Sequence, residues 1–198
     1  MHPRCGLPSS CGERPETVSK FVEVSPMVLA QYELILGGAY RLHRPEDIEP
    51  FTALAAEAFP QLAARIKCFA SDWLGRQFAQ DNARVIDGEP QILLLEPGTG
   101  EAVEIPCDYA AFHKQELVEF PDAAVSYGFF QDWLASGGTV PDRVQCVGYR
   151  IPLYLGGADD LSNLALQDLA VYWTVCGQIL AQIRDHAVGT VIGNVSIS

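Results

Sequence analysis

Gln91-Ile92-Leu93-Leu94-Leu95-Glu96, followed by Pro97-Gly98-Thr99-Gly100 and then Ala102-Val103-Glu104-Ile105, is the stretch that decides the fold. The uninterrupted apolar run from Ile92 to Leu95 reads as a short buried strand, and the Pro/Gly cluster after it reads as a turn. Ala102 to Ile105 then alternates as a return strand does. Together they predict a β-hairpin with a four-residue loop. Working outward, Arg65-Ile66-Lys67-Cys68-Phe69 also alternates, and Gly75-Arg76-Gln77-Phe78-Ala79 reads as a further strand.

The flanks switch to helical spacing. Ser25-Pro26 opens a helix with a capping Ser and a first-turn Pro; Met27, Leu34 and Ile35 are its apolar positions and Gly37-Gly38 its stop. A second helix starts at Pro45-Glu46-Asp47, buries Ile48, Phe51, Leu54, Ala55 and Ala58, and ends at Pro60. Asp108 caps a short helix bearing Tyr109, Phe112 and Leu117, and another runs from Pro121 to Ser136. The clearest helix spans Leu169 to Arg184, where Leu169, Tyr172, Trp173, Cys176, Ile179, Leu180 and Ile183 form one stripe and Gln178 and Gln182 lie opposite. Thr190–Ile197 reads as a terminal strand. The mixed order, the hairpins and the absence of a β-α-β repeat predict an α+β fold, an antiparallel sheet core packed by several helices including the long C-terminal one. The expected organisation is a flexible leader over 1–24 and a single α+β domain over 25–198, with a helical part at 25–60 and a core at 65–185.

The 198 residues carry 13 Lys+Arg against 25 Asp+Glu, a net charge of −12. Residues 1–84 hold 9 basic and 10 acidic side chains, whereas residues 85–198 hold 4 and 15. Phosphate backbones are bound by clustered Lys and Arg, so this imbalance argues against direct nucleic-acid or anionic-membrane binding and permits steering of a cationic partner. No apolar run reaches transmembrane length and no signal-peptide pattern opens the chain, which predicts a cytoplasmic protein with free thiols. The six cysteines include no C-x-x-C pair.

Reactive constellations are few. His113 and Glu116 share a helix face at i, i+3, a spacing that serves a metal, yet no second His-containing motif completes a ligand set. Asp159-Asp160-Leu161-Ser162-Asn163 has Leu161 and Leu164 where a calcium loop needs an oxygen ligand and Gly. It therefore reads as an acidic loop with Asn163 in a turn. Cys107 and His113 are the only nucleophile–base pair close in sequence, without a nucleophile elbow. Gly156-Gly157 lacks the Gly-Lys-Ser/Thr of a phosphate loop and serves chain geometry. Interaction is a better functional class than catalysis, and no cofactor is expected. The alternative is a metal- or small-molecule-dependent enzyme or sensor using His113, Glu116 and Cys107.

Two stretches read together carry a resemblance. Leu95-Glu96-Pro97-Gly98-Thr99-Gly100-Glu101 sits between hairpin strands. Gly148-Tyr149-Arg150-Ile151-Pro152-Leu153-Tyr154-Leu155-Gly156-Gly157, with Asn163-Leu164 following, leads into the helix holding Gln178. This resembles the C-terminal domain of type VI secretion immunity proteins, whose pattern pairs a Leu-Asp-Pro-x-Thr-Gly hairpin with a Phe-x-Pro-Ala-Leu-x-Leu-Gly-Gly … Glu-Asn-Leu segment and a final helix. The SUKH immunity superfamily is a looser comparison. The order is kept over about residues 65–185. Tyr149 and Arg150 depart from the family's more apolar approach to Pro152, and Leu153-Tyr154-Leu155 stands where a small residue is usual. The resemblance implies an α+β fold and a bacterial, non-enzymatic role, the binding and silencing of a cognate toxin, which in several family members is a nuclease.

A nuclease presents a cationic substrate cleft, and an inhibitor offering carboxylates there gains fast, steered association. The candidate partner-binding residues are Glu96, Glu101 and Glu104 on the hairpin, with Asp159 and Asp160 after the double glycine.

Overall fold

The computed structural model describes residues 35–184, together with His186 and Thr190. The expected leader over 1–24, the first ten residues of the helix expected from Ser25 and the strand after Thr190 lie outside the described residues. Within them the architecture is α+β, as the sequence predicts. Five strands form an antiparallel meander in the order β1 (Tyr40–Leu42), β2 (Ile66–Asp72), β3 (Gln77–Ile86), β4 (Glu89–Glu96) and β5 (Glu101–Asp108). A separate pair, β6 (Gln145–Tyr149) and β7 (Leu164–Asp168), is also antiparallel.

The β4 run explains itself through layering. Side chains alternate across a strand. Ile92 and Leu94 join one core with Phe69, Trp73, Phe78 and Phe130, while Leu93 and Leu95 join the other with Ala55, Cys68, Tyr172 and Trp173. A strand covered on both faces has no polar alternation to show. Helix α1 (Pro45–Ala58) and the C-terminal helix α4 (Leu169–Ile183) cover one face and cross where Gly177 faces Ala58. The predicted stripe of α4 is core, with Leu169, Tyr172, Trp173, Cys176 and Ile179 buried. The opposite face is covered by a helical run over 109–119, then α2 (Pro121–Val125) and α3 (Tyr127–Ala135). Asp108 caps the first of these as expected, its carboxylate accepting from the Ala111 N–H at 2.8 Å. Among the described residues no helix is long and apolar enough to cross a membrane.

Four local readings are corrected. Residues 35–38 do not finish a helix: Ile35 bridges Tyr40, and the chain reverses through Leu36 (φ 54°) and Gly37 (φ 66°). The expected helix over Pro121–Ser136 is two, broken at Ser126 (φ 51°, ψ 49°), where the preceding Val125 carbonyl accepts the Trp73 indole N–H at 2.9 Å. Strand β3 continues to Ile86 and turns into β4 through Asp87-Gly88, both at positive φ, a two-residue hairpin. The β6–β7 pair has no counterpart in the sequence reading, because Val147 and Leu164 are buried beside polar Gln145 and Gln167 without clear alternation.

Candidate functional site

The two stretches that carry the family resemblance pack against each other. The Leu153 N–H donates to the Gly98 carbonyl at 2.8 Å, joining the Pro97–Gly100 turn to the loop after β6. A Cβ at Gly98 would lie 2.6 Å from the Tyr149 ring and 2.8 Å from the Tyr172 hydroxyl, so this contact requires glycine. Asn163 clamps the loop from below: its Nδ2 donates to the carbonyls of Ile151 (2.8 Å) and Ala158 (2.9 Å), and its Oδ1 accepts from the Ile151 N–H (3.0 Å). Asn163 in a turn was legible; its buried clamping role was not.

Between hairpin and loop opens a cleft of about 470 Å³, walled by Glu96, Thr99, Phe129, Tyr149 and Asp159, with Arg76 beneath. Arg76 ends the β2–β3 turn, and Asp72 fixes it there. The Asp72 carboxylate accepts from the Arg76 Nε–H at 2.6 Å and from its backbone N–H at 3.0 Å, and Asp72 is fully buried. Burial raises the Asp72 pKa against the pull of Arg76. Arg76 is 7% exposed, and its Nη2 has no hydrogen-bond partner. Glu96 is half-buried; burial raises its pKa, Arg76 pulls it down, and Asp72, Glu101 and Asp159 push it up again. The Tyr149 hydroxyl donates to Asp159 Oδ1 at 2.6 Å, and burial followed by that carboxylate holds the phenol protonated.

Of the five carboxylates singled out from sequence, the structure brings Glu96 and Asp159 into one cleft. Glu101 pairs directly with Glu96 across the hairpin and shares its face. Glu104 pairs with Leu93 and so faces the opposite side, where Arg84 Nε lies 3.4 Å from its carboxylate. Asp160 is turned into its own loop, accepting from the Ser162 N–H at 2.8 Å and caps the short turn over Leu161–Asn163. Asp72 and Arg76 were missed. Their signal was two opposite charges four residues apart, inserted between apolar strand segments, which have to pair if buried.

Of the residues of the alternative reading, Glu116 lies near enough to Cys107 to raise its thiol further after burial, while His113 is held in the core. His113 Nδ1 donates to the Tyr109 carbonyl (2.8 Å), leaving Nε2 to accept from the Tyr40 hydroxyl (2.9 Å), among the rings of Phe69 and Phe112. Burial raises the Cys107 thiol to about 11, and Cys68 and Cys176 to about 12. Among the described residues no three His, Cys, Asp or Glu side chains converge as metal ligands do.

Burial depresses the pKa of His113, and likewise of His43, which stacks on Phe51 and donates to Gln77 Oε1 at 2.6 Å. An unfolded His takes up a proton near pH 6.5 while these two stay neutral, so their contribution is present above that pH and is lost as pH falls through the lower folded values. Asp72 and Glu96, with raised folded values, act in the opposite sense. Between pH 7 and pH 5 the urea midpoint of the native protein should therefore fall relative to that of His43→Gln/His113→Gln. Parallel slopes for both proteins would refute the assignment.

No protein-family model matches the chain, and no curated protein matches it. Among solved structures it is similar to one titled crystal structure of Atu4351 from Agrobacterium tumefaciens, at 14% identity and a TM-score of 0.50, over 71% of this chain and 67% of that chain. At that identity the likeness is one of fold.

Proposed function

We propose that this protein is a non-enzymatic, immunity-type inhibitor that binds a cationic toxin, with a nuclease the favoured class, through the face that carries the Glu96–Asp159 cleft. The observation that supports the reading is the convergence of the Pro97–Gly100 turn and the Tyr149–Gly157 segment on one concavity with carboxylates on its walls. Residues 85–198 supply the surrounding field, with 15 acidic side chains against 4 basic ones. Such a field speeds encounter with a basic partner, and packed aromatic anchors supply most of the affinity. Cytoplasmic residence belongs to the same reading, since an inhibitor has to meet the toxin where its target lies.

The test starts with the full chain as bait in its host's lysate, after which the recovered partner is cloned. Expression of that partner alone should arrest growth, and co-expression of this chain should restore it. Glu96→Lys/Asp159→Lys should slow association by about tenfold or more at low salt and abolish protection. A partner that is harmless when expressed alone, or whose toxicity this chain leaves intact, would overturn the reading.

A further inference from the structure

The two edges of the five-stranded sheet are not alike. At β1, Tyr40 and Arg41 are buried. At β5, Glu101, Ala102, Val103 and Glu104 are exposed one after another, so neither helical layer covers the strand there. Its strand neighbour among the described residues is β4 alone, which leaves the outer row of N–H and C=O groups open over 101–105. Pro106, without an N–H, ends the usable edge.

The side chains along this edge alternate between faces. Glu101 and Val103 share the face of Ile92 and Leu94, whereas Ala102 and Glu104 share that of Leu93 and Leu95. Val103 is 44% exposed. The Glu104 carboxylate has Arg84 Nε at 3.4 Å yet keeps 65% of its side-chain surface in solvent, and β5 contributes no basic residue. An added strand therefore meets two glutamates on opposite faces, with an apolar position between them. An open edge offers hydrogen bonds to any extended segment, and the cross-strand side chains choose among them. A second copy of β5 would set further glutamates against these, so the charge selects a basic segment.

Resting on the toxin-binding reading above, we propose that the toxin adds a strand to the β5 edge, an extended basic segment paired antiparallel with residues 101–105. Antiparallel is the orientation of every pair in this sheet. The register then specifies the segment, read from its N-terminus. An apolar residue faces Ile105, Arg or Lys faces Glu104, and a second apolar residue faces Val103. Any residue faces Ala102, and Arg or Lys faces Glu101. The edge begins where the Pro97–Gly100 turn ends, and Glu101 pairs with Glu96 on the cleft wall, so the added strand borders the cleft.

The probe is the peptide Ac-Val-Arg-Val-Thr-Arg-NH2, titrated into the full chain at low salt while the amides of Ala102, Val103 and Glu104 are followed by NMR. These amides should shift saturably and exchange their hydrogens more slowly. The counterpart with both arginines replaced by glutamate should bind at least about tenfold more weakly. Glu101→Lys/Glu104→Lys changes two exposed side chains, so the rest of the spectrum should persist while the preference inverts. Only alternate N–H groups of an added strand face its neighbour. Methylating the second and fourth peptide nitrogens should therefore differ from methylating the first, third and fifth: one set abolishes binding and the other preserves it. Equal tolerance of both sets, or shifts confined to residues outside β5, would overturn the proposal. Protection of the β5 amides before peptide is added would overturn it too, by the chain's own residues in a monomer or by a second copy in a dimer. The toxin assay is separate: peptide binding without a toxic partner removes the function and leaves an edge that receives basic strands. Growth protection that survives Glu101→Lys/Glu104→Lys, with no peptide binding, does the reverse.

Discussion

Asp72→Ala should destabilise the protein by about 3–5 kcal/mol, a large share of the stability of a domain this size. The carboxylate is fully buried and answers both the Nε–H and the backbone N–H of Arg76. Its removal leaves a guanidinium that is 7% exposed, that cannot deprotonate, and that already has one unpartnered nitrogen. The cost is thus dominated by stranding a charge rather than by losing a contact. Asp72→Ala/Arg76→Met distinguishes the two: with the charge gone, at least half of the lost stability should return, since a buried pair replaced by apolar groups is often near neutral. Urea unfolding at pH 7 measures both. A loss below about 1 kcal/mol in the single variant would overturn the stranded-charge account.

Gly157→Ala is the second large effect, and its neighbour provides the control. A Cβ at 157 would stand 1.9 Å from the Ile151 carbonyl oxygen and 2.6 Å from Asn163 Nδ2. The first is a backbone atom, so no rotamer change relieves it, and the loop has to open and release the Asn163 clamp. Overpacking and an unsatisfied Asn163 amide together should cost about 3 kcal/mol or more. Gly156 is different: it sits at φ 87° with nothing within 4 Å of the Cβ position. Alanine there meets only backbone strain and should cost about 1 kcal/mol. Equal losses at the two positions would sink the clamp account. The loss of the Asn163 side-chain amide signals in Gly157→Ala alone would support it.

The double glycine shows what sequence reasoning reaches. That Gly156-Gly157 serves chain geometry was legible; that two adjacent glycines serve it for two separate reasons depends on where Ile151 and Asn163 fold back, which no spacing records. The hairpin around Pro97–Gly100 and the helix over Leu169–Ile183 were legible because each carries a local signal, turn residues in one and a period of 3.6 in the other. The break at Ser126 was not, since it is set by Trp73, distant in sequence, taking the Val125 carbonyl. At the site, Glu96 and Asp159 were found as charges, while Arg76 was hidden inside what read as an ordinary strand. The partner of a buried charge is a tertiary fact.

Strand β5 has a strand neighbour on one side only among the described residues, and its other backbone edge is therefore a template on which another chain could polymerise. It is guarded. Glu101 and Glu104 put like charges along it, and Pro106, lying where the register with β4 shifts, removes an N–H and bends the edge. Glu104, turned away from the cleft, thus acquires a colloidal role: it helps keep a sheet whose neighbouring strand β4 reads Ile-Leu-Leu-Leu from growing into a fibre.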